Sequence, residues 1–166
     1  MKKINIGING LGRIGRTLVN YWARNYSDKI QITAVNNPGK AQDYLHLLKY
    51  DSIHGKFPFE VKLDNDFIII GDNKIKFFNQ KNPAEIDWSS QNVDIVIDST
   101  GIFKDKEALS AHMKGSVKKV IMCAPGKQLD GTFVMGINSD QYDTTKHHFI
   151  SNASCTTNCL APVAKV

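Results

Sequence analysis

The sequence predicts an α/β fold, a doubly wound and mainly parallel sheet with an antiparallel insertion. Three observations carry that prediction. The apolar run Ile4–Asn9 is followed at once by Gly10-Leu-Gly12-Arg-Ile-Gly15, which opens a stretch with helical periodicity. Further short apolar runs alternate with helical spacings along the chain, as βαβ units require. Between residues 59 and 78, short runs are instead joined by tight turns, which calls for antiparallel pairing.

Taken in order, Ile4–Asn9 reads as a near-continuous apolar strand, suited to the centre of a parallel sheet. Residues 13–25 carry Ile14, Leu18, Tyr21 and Trp22 at helical spacing, and 30–35 form a second strand. Leu45, Leu47 and Leu48 mark a short helix over 42–50. Strands at 59–63, 67–70 and 74–78 are joined by Asp64-Asn-Asp66 and Gly71-Asp-Asn73 turns. Parallel character returns with a strand at 93–98, a helix at 104–113 and a strand at 118–122. Strands at 132–136 and 147–150 follow, and a helix opens at Cys155. The arrangement is of the Rossmann type. Residues 1–150 read as the dinucleotide-binding domain and 151–166 as the start of a second one. The final pattern carries no stop signal, so the expectation is a chain that belongs to something longer.

Composition narrows the function classes. With 42% apolar and 22% charged residues the chain is an ordinary globular one. It has no apolar run of about 18 residues, which argues against a membrane span, and no apolar signal region, which points to the cytoplasm. The net charge of +5 comes from scattered lysines without a basic stripe, so no nucleic-acid partner is expected and anionic small molecules are the better use of it. Cys123, Cys155 and Cys159 are too few for a disulfide framework and fit a reducing compartment. No metal site is expected.

The glycine fingerprint sits where its mechanism needs it, after a strand and before a helix. Gly10 permits the tight turn, Gly12 lets backbone approach a pyrophosphate, and Gly15 lets helix pack on strand. The helix N-terminus then faces the phosphates. An acid about 20 residues on would hold the adenosine ribose, but Asn36-Asn37-Pro38-Gly39-Lys40 has no carboxylate. Asn37 can bond a hydroxyl without repelling a 2′-phosphate, and Lys40 is close in sequence. NAD and NADP both stay open.

Cys155 is the nucleophile candidate. It lies at a strand-to-helix transition among Ser154, Thr156, Thr157 and Asn158, small polar side chains that donate hydrogen bonds instead of filling a core. Free N–H groups at a helix start favour a thiolate there, and a thiolate attacks aldehyde carbonyls. Cys159, beside Leu160, and Cys123, at a strand end, read as packing residues. None of His46, His54, His112, His147 and His148 can be assigned as a base.

Five motifs stand in order along the chain: Ile-Asn-Gly-Leu-Gly-Arg-Ile-Gly-Arg at 8–16, Leu-Lys-Tyr-Asp-Ser-Ile-His-Gly at 48–55, Asp-Ser-Thr-Gly-Ile-Phe at 98–103, Val-Met-Gly-Ile-Asn at 134–138, and Ser-Asn-Ala-Ser-Cys-Thr-Thr-Asn-Cys-Leu-Ala-Pro at 151–162. Together they resemble phosphorylating glyceraldehyde-3-phosphate dehydrogenase, and erythrose-4-phosphate dehydrogenase shares most of them. The resemblance implies a homotetrameric enzyme acting on a sugar phosphate with inorganic phosphate. Cys155 would form a thiohemiacetal and then, after hydride transfer, a thioester, with Ser154 and Thr156 binding phosphate. Asn9, Gly10, Gly12, Arg13 and Ile14 would meet the pyrophosphate end of the cofactor. Asn37 takes the place of the ribose-binding acid, and Lys81 stands where an arginine near the adenine is usual. Ser99, Thr100, Gly101 and Cys123 would lie along the cofactor toward the nicotinamide. Members of that family are about twice as long, and their base lies in the part not matched here. These 166 residues alone are therefore expected not to catalyse the reaction at a useful rate, with a non-catalytic dinucleotide-binding fragment as the alternative.

Overall fold

The computed structural model describes residues 3–166. Strand β1 (Ile4–Asn9) leads through the glycine turn into helix α1 (Arg13–Asn25), and β2 (Ile30–Asn36) precedes α2 (Ala41–Lys49). A small hairpin, β3 (Tyr50–Asp51) with β4 (Gly55–Lys56), comes next, then β5 (Val61–Asp64), β6 (Phe67–Ile70) and β7 (Asn73–Phe78). The second half holds β8 (Ile95–Asp98), α3 (Lys106–Ser110), β9 (Lys119–Met122), β10 (Gly131–Thr132), β11 (Phe149–Ser151) and α4 (Cys155–Lys165). Among the described residues nine strands make one sheet in the order β10-β11-β9-β8-β1-β2-β7-β6-β5. Its interior pairs are parallel, and only β5-β6-β7 turn antiparallel at one edge. The predicted doubly wound sheet with an antiparallel insertion is what the chain forms.

Side-chain alternation decides what each face buries. Ile8, Leu11, Val19, Trp22, Ile32, Val35, Leu45 and Leu48 form the core under α1 and α2. Ala34, Trp88, Val96, Leu109, Val120 and Met122 form a second core with α3. Trp88 lies so close over Gly7 that a Cβ there would sit 2.7 Å from the indole. On the α1 side, beyond α1 itself, Ile95, Ile97 and Ile121 are only half-buried. They line a groove of about 700 Å³ with Leu18, Phe133 and Tyr142.

Several expectations need correction. In α1, Val19 and Trp22 are buried, whereas Ile14 and Tyr21 are about half exposed. Tyr21 instead packs its ring against Tyr26. The helix expected over 104–113 is only α3, because the Asp105 carboxylate caps it by accepting the Ala108 N–H at 2.8 Å. Tight turns at Leu109–His112 and Ser110–Met113 end it. The strand expected at 132–136 shrinks to β10, since Asn138 Oδ1 accepts the Val134 N–H and folds the segment back. Tyr50 joins the β3–β4 hairpin, which alternation did not announce.

Candidate functional site

Strand β1 is left for β2 on one side and later flanked by β8 on the other, so the sheet's order reverses between β1 and β8. In open parallel sheets a ligand crevice forms at the carboxyl ends of strands at such a point. Two turns line it: Gly10 to Gly12 after β1, and Ser99 to Gly101 after β8.

The first turn is built by close approach. Gly10 has φ +97°, open only to a residue without a side chain, and its N–H donates to the Asn36 carbonyl at 2.8 Å. At Gly15 a Cβ would fall 1.9 Å from the Gly10 carbonyl oxygen, so the helix can seat on the turn only with glycine there. Gly12 is the opposite case, since a Cβ there meets nothing within 4 Å. That open space lies at the N-terminus of α1, whose first turn has no acidic residue and no side-chain cap. A backbone cradle with uncapped N–H groups at Arg13 and Ile14 is suited to a pyrophosphate, and the residues fit a dinucleotide. The Ile14 side chain is exposed. The Arg13 guanidinium pairs with Asp51, which ties the β3–β4 hairpin to the glycine turn. The Asp51 carboxyl is held below the usual range chiefly by the N–H groups of His54 and Ile53, with Arg13 adding to them against some desolvation.

Asn37 is half-buried and braces the same turn. Its Oδ1 accepts the Leu11 N–H at 2.7 Å, and its Nδ2 donates to the Pro38 carbonyl and the Tyr44 hydroxyl. Lys81 is exposed just past β7, next to Gln80, whose N–H donates to Asn36 Oδ1 at 2.8 Å. These two residues therefore flank the outer end of the crevice, on the β2–β7 side. Asn36 Nδ2 donates to Asn9 Oδ1 at 2.7 Å.

The second turn is tied to the first. Ser99 Oγ donates to the Gly10 carbonyl at 2.7 Å, and its N–H to the Asn9 carbonyl at 2.8 Å. Thr100 Oγ donates to Asp98 Oδ1 at 2.7 Å. Gly101, with φ +69°, is open on the side a Cβ would occupy. Cys123 follows β9, and its N–H donates to the Asp98 carbonyl at 2.8 Å. Burial pushes its thiol up to about 11, with the Asp98 charge adding to the effect. At neutral pH it is a thiol and no nucleophile.

Cys155 stands on the same edge of the sheet, because β11 runs parallel to β9, β8 and β1 and α4 starts at its carboxyl end. Asn152 N–H donates to the Met122 carbonyl at 3.0 Å, and Ala153, buried, is forced to φ +59°. A left-handed alanine is strained by about 1–2 kcal/mol. Its N–H is held by Ser151 Oγ at 2.9 Å, and Ser151 Oγ donates to the Ala124 carbonyl. This tight bend turns Cys155 outward as the first residue of α4, where it is exposed. Ser154 caps the helix, its Oγ accepting the Thr157 N–H at 2.9 Å and lying 2.9 Å from Thr156 Oγ and 2.7 Å from Thr157 Oγ. Asn158 Nδ2 ties the bend by donating to the Asn152 and Ser154 carbonyls. A hydroxyl cluster beside an exposed thiol can bind an anion next to a nucleophile. Cys159, expected to pack, is exposed as well, since no residue of α4 is buried.

Among the described residues no group of three His, Cys, Asp or Glu side chains could hold a metal, and no helix is long and apolar enough to cross a membrane. His46 and His54 are surface residues, and His147 Nδ1 accepts the Asp143 N–H. His148 faces the Lys118 and Thr145 carbonyls. Sequence reasoning missed Asn36, Asp98 and His112, which are buried polar residues of the crevice floor. Asp98, a charge at the end of an apolar strand, was the readable signal.

Residues 4–106 match the family described as "Glyceraldehyde 3-phosphate dehydrogenase, NAD binding domain". The chain is 49% identical over 172 residues to glyceraldehyde-3-phosphate dehydrogenase 4 of Caenorhabditis elegans, covering 100% of this chain and 50% of the relative. It is 50% identical over 163 residues to glyceraldehyde-3-phosphate dehydrogenase of Streptomyces coelicolor, covering 98% and 48%. Against glyceraldehyde-3-phosphate dehydrogenase 2 of Bacillus subtilis the identity is 44% over 164 residues, covering 99% and 48%. The chain spans about half the length of the curated relatives it matches. With the glycine cradle at the β1–β8 switch point, this match places the chain in the glyceraldehyde 3-phosphate dehydrogenase family, through its NAD-binding domain.

Proposed function

We propose that residues 1–150 bind the dinucleotide and that 151–166 begin the domain that carries the chemistry, in an enzyme converting glyceraldehyde 3-phosphate and inorganic phosphate to 1,3-bisphosphoglycerate. The observation that carries this reading is the exposed Cys155 on a strained bend, on the same sheet edge as the open Gly12 cradle. Cys155 Sγ attacks the aldehyde carbon to give a thiohemiacetal. A dinucleotide held by the Gly10–Gly12 cradle and the Ser99–Gly101 turn would supply the acceptor for the hydride lost from this carbon. The hydroxyl proton passes to a general base. The resulting thioester is attacked by a phosphate oxygen, Sγ leaves, and the acyl phosphate is released. The hydroxyls of Ser154 and Thr156 hold the phosphate beside the sulfur. Arg13 and Ile14 supply N–H groups to the pyrophosphate, Asn37 and Lys81 the adenosine end, and Thr100, Gly101 and Cys123 the nicotinamide end. Assembly as a homotetramer and residence in the cytosol, where three unpaired thiols are at home, belong to the same proposal.

The test uses the 166-residue chain. Calorimetric titration with NAD and NADP is expected to show one site per chain. Iodoacetamide labelling at neutral pH, mapped by peptide mass, is expected to modify Cys155 at least about tenfold faster than Cys123, whose thiol stays protonated. Steady-state turnover on glyceraldehyde 3-phosphate is expected to be absent from this chain. No dinucleotide binding, or labelling of Cys123 ahead of Cys155, would overturn the reading.

A further inference from the structure

One buried carboxylate joins both lips of the crevice. Asp98 is 2% exposed. Its Oδ1 accepts the Thr100 hydroxyl at 2.7 Å and the Thr100 N–H at 3.2 Å, and its Oδ2 accepts Asn9 Nδ2 at 2.8 Å. Asn9 ends β1 just before the glycine turn, and Thr100 is in the turn after β8. Behind this carboxylate sits His112, of which nothing is exposed. Trp88 Nε1 donates to His112 Nδ1 at 3.1 Å. An indole nitrogen only donates, so Nδ1 must accept and the ring proton sits on Nε2. Nε2 lies 3.4 Å from Asp98 Oδ2. It also lies 3.3 Å from Asn9 Nδ2, so ring, amide and carboxylate meet at one point.

We propose that His112 is a positioning residue of the dinucleotide site, acting through Asp98 to set the spacing between the Asn9–Gly10 and Thr100–Gly101 lips. The proposal rests on the cofactor reading above. Packing alone does not require an imidazole here. Beside the aromatic rings of Trp88 and Phe103, the Trp88 N–H needs only an acceptor at Nδ1, so the packing does not account for Nε2 beside Asp98. The imidazole is oriented from behind by a group that can act in one direction only, and its Nε2 lies 3.4 Å from the carboxylate oxygen that accepts Asn9 Nδ2. Trp88 is in turn fixed by the Gly7 contact under β1, so the orientation is referred to the sheet itself.

Two variants separate the two ring nitrogens. His112→Asn puts an amide at the Nδ1 position and removes the Nε2 contact to Asp98. His112→Gln puts an amide nitrogen at the Nε2 position and keeps that contact. NAD affinity of the 166-residue chain is read by calorimetry, and the lips by the backbone amide resonances of Gly10 and Thr100 without cofactor. The expectation is about tenfold weaker NAD binding and shifted lip resonances for His112→Asn, with His112→Gln within about threefold of the parent. A space-filling role predicts that the two variants behave alike, and that result overturns the proposal. If His112→Asn does not fold, the same-shaped Asp98→Asn is used, whose amide sets a donor against Asn9 or Thr100. Weaker NAD binding with shifted resonances supports the proposal, and parent-like affinity overturns it. A parent chain that binds neither NAD nor NADP overturns the cofactor reading and the proposal together, whereas parent binding with unaffected variants overturns the proposal alone.

Discussion

Two glycines three residues apart are there for opposite reasons. Gly15 is held by backbone, since a Cβ would lie 1.9 Å from the Gly10 carbonyl oxygen, and backbone cannot step aside as a side chain can. Gly15→Ala is expected to lower stability by about 2 kcal/mol or more and to impair NAD binding with it. Nothing in the fold requires a glycine at Gly12. Its φ of −68° suits any residue and a Cβ there meets open space. Gly12→Ala is expected to change stability by less than about 1 kcal/mol, the cost of a poorer N-cap, while weakening NAD binding at least about tenfold. Urea unfolding and calorimetric titration of both variants check the contrast. Asn37 invites a second experiment. Its Oδ1 already accepts the Leu11 N–H, which an aspartate would do equally well. Asn37→Asp should therefore keep the Leu11 bond, lose the Nδ2 bond to the Pro38 carbonyl, and add a charge against a 2′-phosphate. The expected outcome is an NAD-to-NADP affinity ratio raised at least about tenfold, read from paired titrations.

At the level of elements, pattern predicted strands better than ends. β1, α1, β6 and α4 lie where periodicity and caps put them. The helix at 104–113 failed because the Asp105 cap and the tight turns beyond Ser110 bound it to five residues. The strand at 132–136 failed because alternation cannot register that Asn138 folds the segment back. Asp130 shows a contact that no local pattern announces. It accepts Lys106 Nζ at 2.6 Å and the N–H groups of His148 and Phe149 at 2.8 Å, joining α3 to the entry of β11. Burial raises its carboxyl, but Lys106 and the two N–H groups outweigh that and hold it at about 2. A carboxyl lower in the folded state than its unfolded value of about 3.9 adds stability above that pH, lost as pH falls toward 2. Asp130→Asn should therefore be less stable than the parent at pH 6, with the difference vanishing between about pH 4 and pH 2. Thermal melts across that range check the sign.

Across the whole molecule, stability is expected to be graded from centre to edge. β1 and β8 sit in mid-sheet with Ile8 and Val96 fully buried, whereas the β3–β4 hairpin and α4 bury nothing of their own. Amide exchange should be slowest at Gly7, Ile8 and Val96 and fastest at Ile53 and along 160–165, and uniform protection would contradict the grading. The sequence determined the fold class and the glycine turn, and it singled out Cys155 as the nucleophile candidate. Strand alternation, a turn that admits only glycine, and a thiol among hydroxyls are local properties of neighbouring residues. The tertiary structure decided the rest. Asp98, His112, Trp88, Asn9 and Asn36 lie on five separate segments, and meet only because parallel strands bring their carboxyl ends together. Which N–H a buried oxygen accepts depends on atoms 89 residues apart in the chain, as Asn9 and Asp98 are. Hydrogen-bond geometry at that range leaves no periodic trace in the sequence.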